Sequence, residues 1–177
     1  MMQNLAAHES AASGSVSPGV PVVRRPCPAD APALAALFSE MQRHYGRPVS
    51  DATAAEAAAL ACSPPALAFD PRVLVALTGS QIVGSLVMNV TFPAFELTRS
   101  LYIRDLYVTR RLRGCGVGTA LVKAGARLAI REGFSALEWT TETANAAARG
   151  MYEACGARQL DRTYYRLFDD SLAAAAA

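Results

Sequence analysis

The sequence predicts a mixed α/β fold organised around one central strand–helix–strand unit, and three features carry that expectation. The hydrophobic period changes from two to that of a helix between Leu101 and Leu128, a hairpin pattern precedes the change, and a second short helical pattern from Asn145 to Cys155 follows it. This order excludes a helical bundle and a β-sandwich. The 177 residues suit one domain with a full core, and 52% hydrophobic with 18% charged residues suits a folded globular protein.

Residues 1–20 are rich in Ser, Ala and Gly without periodicity, so they are expected to form a disordered tail. A strand is expected over Val22 to Arg25. Asp30 then precedes Leu34, Leu37, Phe38 and Met41, which share one helical face. A second, Ala-rich helix is expected from Asp51 to Ala61, with Asp51 or Thr53 as its N-cap and Ser63-Pro64-Pro65 as its stop. Between these helices, His44-Tyr45-Gly46-Arg47-Pro48 is a loop of unusual polar and aromatic content.

Val73 to Leu77, the turn Thr78-Gly79-Ser80, and Ile82 to Val90 read as a hairpin with a bulge at Gly84. A strand from Leu101 to Val108 follows the turn at Phe92 to Phe95. Val117, Leu121, Ala124 and Leu128 line one face of the next helix, which Gly133 closes. Ala136 to Thr141 is expected as a strand, Asn145 to Cys155 as a helix ended by Gly156, and Arg158 to Phe168 as a closing β segment. Residues 171–177 form a low-complexity C-terminal tail that extends a helix begun near Asp169 or frays.

Composition removes several functional classes. A net charge of +2 is too small to imply a nucleic-acid partner. Cys27, Cys62, Cys115 and Cys155 contain no CxxC pair, which argues against a metal knuckle and a disulfide framework. The N-terminus lacks a basic segment followed by an apolar run, and no stretch of about 20 apolar residues appears, so a cytoplasmic protein without membrane association is expected.

The most informative segment begins at Leu106-Tyr107-Val108. There a strand enters a loop holding Arg110 and Arg111, continues as Arg113-Gly114-Cys115-Gly116-Val117-Gly118-Thr119, and becomes an amphipathic helix. Glycines at such a junction let backbone approach a ligand closely, and unpaired N–H groups at a helix N-terminus favour a phosphate. The segment reads as an anion cradle. A Walker A loop is disfavoured because Gly118 is followed by Thr119-Ala120 rather than Lys-Ser/Thr. A dinucleotide fingerprint is disfavoured because position 119 is Thr rather than Gly, although Glu138 lies near where a ribose-binding acid falls.

Arg113-x-x-Gly116-x-Gly118 instead resembles the signature of the GCN5-related N-acetyltransferases, and the likeness extends over roughly residues 22–168. The resemblance implies about seven mostly antiparallel strands, a splayed parallel central pair and about four helices, with residues 21–170 as a single N-acetyltransferase domain. It implies that the 113–119 loop cradles the pyrophosphate of acetyl-CoA, and that the backbone of Leu106, Tyr107 and Val108 bonds the pantetheine amides. Leu137 to Thr141 resembles the fifth strand, which parts from the fourth to admit the cofactor. Asn145 and Tyr152 match the family's Asn-to-Tyr helix, where Asn contacts the cofactor and Tyr protonates the leaving thiolate.

Direct attack of an amine on a thioester needs a neutral nucleophile, positioning, and charge stabilisation at the carbonyl oxygen. For the general base, Asp105, Glu138, Glu142 and Glu96 lie on or beside the central strands, and Asp105 and Glu142 are preferred. Cys115 at a helix N-terminus is a conceivable nucleophile, but neither His8 nor His44 has a motif tying it to that thiol. Tyr102 to Val108, Trp139, Asn145 and Met151 to Ala157 are most similar to the spermidine/spermine (diamine) acetyltransferase-like branch. Arg104 directly before Asp105, and Ala144 before Asn145, depart from that branch and favour a small amine over a long polyamine. Acetylation of protein lysines and a non-catalytic coenzyme A-binding module are the alternatives. A homodimer is expected from the resemblance and from Tyr164, Tyr165, Leu167 and Phe168 in the closing segment.

Overall fold

The structure, a computed structural model, describes residues 19–177. The tail expected over residues 1–20 therefore falls, up to residue 18, outside the described residues, and so does His8. The chain divides into two units, one ending at Thr140 and one comprising Thr141–Ala177.

In the first unit, five strands form one sheet in sequential order: β1 Val22–Arg24, β2 Arg72–Thr78, β3 Gln81–Thr91, β4 Ser100–Val108 and β5 Leu137–Glu138. The first four pair antiparallel and β5 runs parallel to β4. The helices are α1 Ala31–His44, α2 Asp51–Cys62 and α3 Val117–Arg131. Alternation along β2 shows why the strands read as nearly continuous apolar runs. Leu74 and Ala76 join the core beneath α3, whereas Val75 and Leu77 join the core beneath α1 and α2, so both sheet faces are covered. Leu34, Leu37, Phe38 and Met41 are all buried, as their shared helical face predicts.

Local chemistry sets the element ends. Asp30, just before α1, takes a bidentate pair from the Arg24 guanidinium (2.6 and 2.9 Å) and a bond from the Cys27 N–H (2.7 Å), tying β1 to the start of the helix. The N-cap of α2 is Ser50 rather than Asp51 or Thr53. Ser50 has extended backbone angles, and its Oγ accepts from the Thr53 N–H at 3.1 Å. Past α3, Gly133 adopts φ +72°, its N–H reaches Ile130 O (3.2 Å) and that of Phe134 reaches Ala129 O (2.9 Å). These two bonds satisfy carbonyls that the helix end leaves open.

Two bulges shape the sheet. Ala76 pairs with Gly84 and Leu77 with Ile82, so the extra residue is Val83, one position before the expected Gly84. The contribution of Gly84 is close approach, since a Cβ there would lie 2.9 Å from Tyr107 O. On β4, Val87 pairs with Asp105 and Met88 with Ile103, leaving Arg104 as the extra residue. That insertion inverts the side-chain parity. Leu101 and Ile103 pack toward α3, while Tyr107 packs toward α1 and α2, and Leu106 and Val108 take over the α3 side.

The sheet is smaller than the seven strands expected. β5 holds two residues instead of Ala136 to Thr141, because its ladder with β4 ends after Leu101–Leu137 and Tyr102–Glu138 although β4 continues to Val108. In the second unit, Arg158 to Phe168 carries no regular secondary structure, which corrects the expected closing β segment. Its pattern explains this: Leu160 and Tyr164 share parity with Arg158, Arg162 and Arg166, so strand alternation gives neither face a consistent apolar character. The second unit otherwise contains α4 Ala146–Ala154 and α5 Asp169–Ala175, making five α-helices among the described residues where about four were expected.

Candidate active site

The site grows from the end of β4. The Thr109 N–H bonds Val83 O (2.9 Å), Arg110–Leu112 make a single tight helical turn, and the chain reverses through Gly114 (φ +78°) and Gly116 (φ +80°) into α3. Gly116 is the N-cap in a left-handed conformation that a side-chain-bearing residue adopts only with strain. The first intrahelical bond runs from the Ala120 N–H to Gly116 O (3.0 Å), so the N–H groups of Val117, Gly118 and Thr119 precede the helical ladder. A Cβ at Gly114 or Gly116 would meet nothing within 4 Å, so this surface is open to a ligand. Open backbone amides at the positive end of a 15-residue helix, beside Arg110, Arg111 and Arg113, favour an anionic group such as a phosphate.

The arginines are not equivalent. Arg113 stacks over the Tyr107 ring at 5.4 Å and donates from Nε to Val108 O at 3.1 Å, so it braces the loop against the strand it leaves. Arg111 donates from Nη2 to Gln81 Oε1 (2.5 Å), and Arg110 is exposed. Cys115 is an exposed free thiol whose Sγ lies 3.8 Å from Arg113 O.

Asp105 lies across from Val87, half-buried, and the Arg104 bulge gives it the parity of Tyr107, the residue two positions on, which packs toward α1 and α2. Burial raises its pKa above the ordinary carboxylate value, opposed by attraction to Arg104, the Leu106 N–H and a hydrogen bond from Tyr45. Tyr45 belongs to a ring cluster: His44 is 5.4 Å from Tyr45 and 5.9 Å from Tyr107, and Tyr45 is 6.5 Å from Tyr107. Glu138 is held elsewhere, accepting from Ser100 Oγ at 2.9 Å near the start of β4.

Glu142, Asn145 and Tyr152 belong to the second unit. Asn145 is the N-cap of α4, its Oδ1 accepting from the Ala148 N–H at 3.3 Å, and its own N–H bonds Glu142 O at 2.9 Å. Tyr152 sits in the last turn, where its carbonyl accepts from the Ala157 N–H (3.1 Å) while the Gly156 N–H takes Glu153 O (2.9 Å). Glu142 and Asn145 are exposed and Tyr152 is half-buried. The structure thus gathers Asp105 with the 113–119 loop in one unit, and Glu142, Asn145 and Tyr152 on one helix and its lead-in in the other. Glu40, Tyr45 and His44 around the base of the loop went unassigned from sequence. The aromatic content of 44–48 was their one visible signal, and Glu40 had none beyond its place between Leu37 and Met41.

A strand that parts from a parallel neighbour, ending in a glycine-rich anion cradle on a helix N-terminus, is the architecture of an N-acetyltransferase. The family model described as the Acetyltransferase (GNAT) family matches residues 34–157, and this chain belongs to that family. Its members take their acetyl group from acetyl-CoA. The chain is 30% identical over 134 residues to the uncharacterized N-acetyltransferase YhfO of Bacillus subtilis (strain 168), covering 76% of this chain and 87% of that protein. A shorter likeness, 36% identity over 62 residues, links it to thialysine N-epsilon-acetyltransferase of Bos taurus, with 35% of this chain and 36% of that protein covered. Among solved structures, an integron cassette protein from the mobile metagenome of V. cholerae superposes with a TM-score of 0.75 at 26% identity, over 88% of this chain and 97% of the other.

Proposed function

We propose that this N-acetyltransferase acts on a primary amine of a small molecule, by direct attack in a ternary complex. The observation that carries the reading is Asp105, a half-buried carboxyl with a raised pKa, one strand end away from the loop. An amine must shed its proton before it attacks, and a carboxylate whose affinity for protons is raised by burial is better matched to that task than a solvated one. In this reading Asp105 takes the proton from the acceptor ammonium, directly or through water, with Glu142 as the other candidate base. Acetyl-CoA supplies the activated acetyl group and a thiolate leaving group. Arg113, Gly114, Cys115, Gly116, Val117, Gly118 and Thr119 hold the pyrophosphate through backbone amides and positive charge. The strand backbone from Leu106 to Val108 aligns the pantetheine arm, Asn145 contacts the cofactor, and Tyr152 returns a proton to the departing sulfur.

The likeness to thialysine N-epsilon-acetyltransferase over 62 residues supports a small-molecule amine as acceptor and a place near the diamine acetyltransferase-like branch. Thiol release from acetyl-CoA, measured across thialysine, short diamines, amino-acid amides and lysine peptides, tests the proposal. Turnover of small amines is expected, whereas turnover of peptides alone overturns it, and coenzyme A binding without any turnover favours a binding module. The reading includes a homodimer, supported by Tyr164 and Tyr165, which are 65% and 87% exposed. A monomeric mass in light scattering overturns that part. Among the described residues no helix is long and apolar enough to cross a membrane.

A further inference from the structure

We infer that Glu40, on α1, is a positioning residue for coenzyme A: its carboxylate holds the junction between β4 and the cofactor loop in the binding-competent shape. The inference rests on the reading of residues 113–119 as the pyrophosphate cradle. A single oxygen, Glu40 Oε1, accepts from Thr109 Oγ1 at 2.8 Å, Tyr107 OH at 3.0 Å and the Arg110 N–H at 3.4 Å. These donors bracket the point where the strand stops: Tyr107 is next to last in β4, Thr109 is the N-cap of the tight turn, and Arg110 is the first residue of that turn. Burial works against ionisation of Glu40, yet the bonds from Thr109, Tyr107 and Arg110, with attraction to Arg111, outweigh it and hold the carboxyl ionised below its ordinary pKa.

The contact continues into the loop. Tyr107 is 3% exposed, its hydroxyl is fixed on Glu40, and its ring face carries the Arg113 guanidinium. Arg113 in turn holds Val108 O from the loop side, so α1, the strand end and the signature arginine form one connected set. A helix buried beneath the opposite sheet face through Leu37, Phe38 and Met41 thereby sets the direction in which the glycine turn leaves the sheet. A charged acceptor suits this because charge-assisted bonds are stronger than neutral ones, and one oxygen must satisfy three donors at a chain reversal.

The test is calorimetric affinity for coenzyme A in the full chain, with amide exchange over residues 109–116 and the melting temperature read on the same samples. Glu40→Gln keeps the shape and removes the charge. It is expected to weaken coenzyme A binding by about tenfold, the ratio that the loss of one charge-assisted bond produces, and to speed exchange at the loop while α3 exchanges as before. Thr109→Val and Tyr107→Phe each delete one donor, are expected to weaken binding by smaller factors, and keep the inference testable where Glu40→Gln fails to fold. Combining Glu40→Gln with Thr109→Val is expected to cost less than the product of the single losses. Affinity within twofold of wild type in folded Glu40→Gln overturns the inference, as does unchanged affinity in both donor deletions or a strictly multiplicative double variant. A wild-type chain that binds no coenzyme A overturns the reading of the loop itself, which is a distinct result.

Discussion

The first unit carries a charged cluster at each end of its sheet, and they are built on opposite plans. Away from the loop, Glu132 at the end of α3 binds Arg25 and, at 2.8 Å, the nearly buried Arg72, while Arg72 and Arg99 both stack on Phe134 at 5.8 and 5.3 Å. At the loop end the carboxylate of Glu40 spends its oxygen on hydroxyls and a backbone amide. The ion pairs among the described residues are Arg24–Asp30, Arg25–Glu132 and Arg72–Glu132, so none involves Arg110, Arg111 or Arg113. One end ties two of its arginines to a single carboxylate. The other keeps its arginines out of ion pairs beside open helix amides, a condition that favours an anionic ligand.

The largest expected effect breaks the loop end outright. Gly116→Asp places a side chain at φ +80°, which costs about 1–2 kcal/mol of backbone strain, and puts a carboxylate where the pyrophosphate would sit. Coenzyme A binding should become undetectable by calorimetry in a protein that still melts cooperatively. Unchanged affinity would remove the loop from the site.

Next in size is Tyr152→Phe, which retains the ring and deletes the proton. Turnover should drop by roughly a hundred- to ten-thousand-fold if Tyr152 is the general acid, with coenzyme A affinity and both charged clusters unaffected. A wild-type rate, with chemistry shown to limit it, would reject the assignment, and a large loss of stability would mark the hydroxyl as a structural group.

Asp105→Asn separates function from stability at the loop end. The folded state raises this carboxyl above its unfolded value, so the folded chain holds the proton longer than the unfolded one. Stability should therefore fall as pH rises from the ordinary carboxylate range through the raised value, and then level off. Asp105→Asn should flatten that slope and melt no lower than wild type near neutrality, while amine turnover falls by about a hundredfold or more. Rate unchanged across the pH profile would hand the role to Glu142. The smallest functional effect belongs to the opposite end: Glu132→Gln should lower stability by about 1–3 kcal/mol in denaturant titration and leave coenzyme A affinity within twofold. A matching loss of affinity would show that the two ends are coupled through α3.

Much of the architecture was legible because it is encoded within a few residues. The strand ending at Val108, the glycine turn, the helix from Val117 and the Gly133 and Gly156 caps each follow from local periodicity and from backbone angles that glycine adopts freely. The parts misread were those whose outcome depends on a distant partner. β5 stops at Glu138 because pairing needs the neighbouring strand to stay within reach, and Arg158 to Phe168 is no strand because its own alternation selects no face. The Arg104 bulge is decided by the register of β3 against β4, and a one-residue shift reverses every facing beyond it. It therefore settles, without any local signal, that Asp105 and Tyr107 share the parity of the α1 side.

The sequence by itself determined the class of fold and the strand, glycine turn and helix start between Val108 and Val117, since spacing along the chain is enough to make each of them, whereas the residues offered for proton transfer rest on the family resemblance and on their place by the central strands. Only the tertiary structure decided what surrounds them. Glu40 meets Thr109 across 69 positions, and Asp105 owes its raised pKa to burial, against the hydrogen bond from Tyr45. Neither follows from periodicity, because desolvation and the choice of hydrogen-bond partner exist only once α1 has been laid across the sheet.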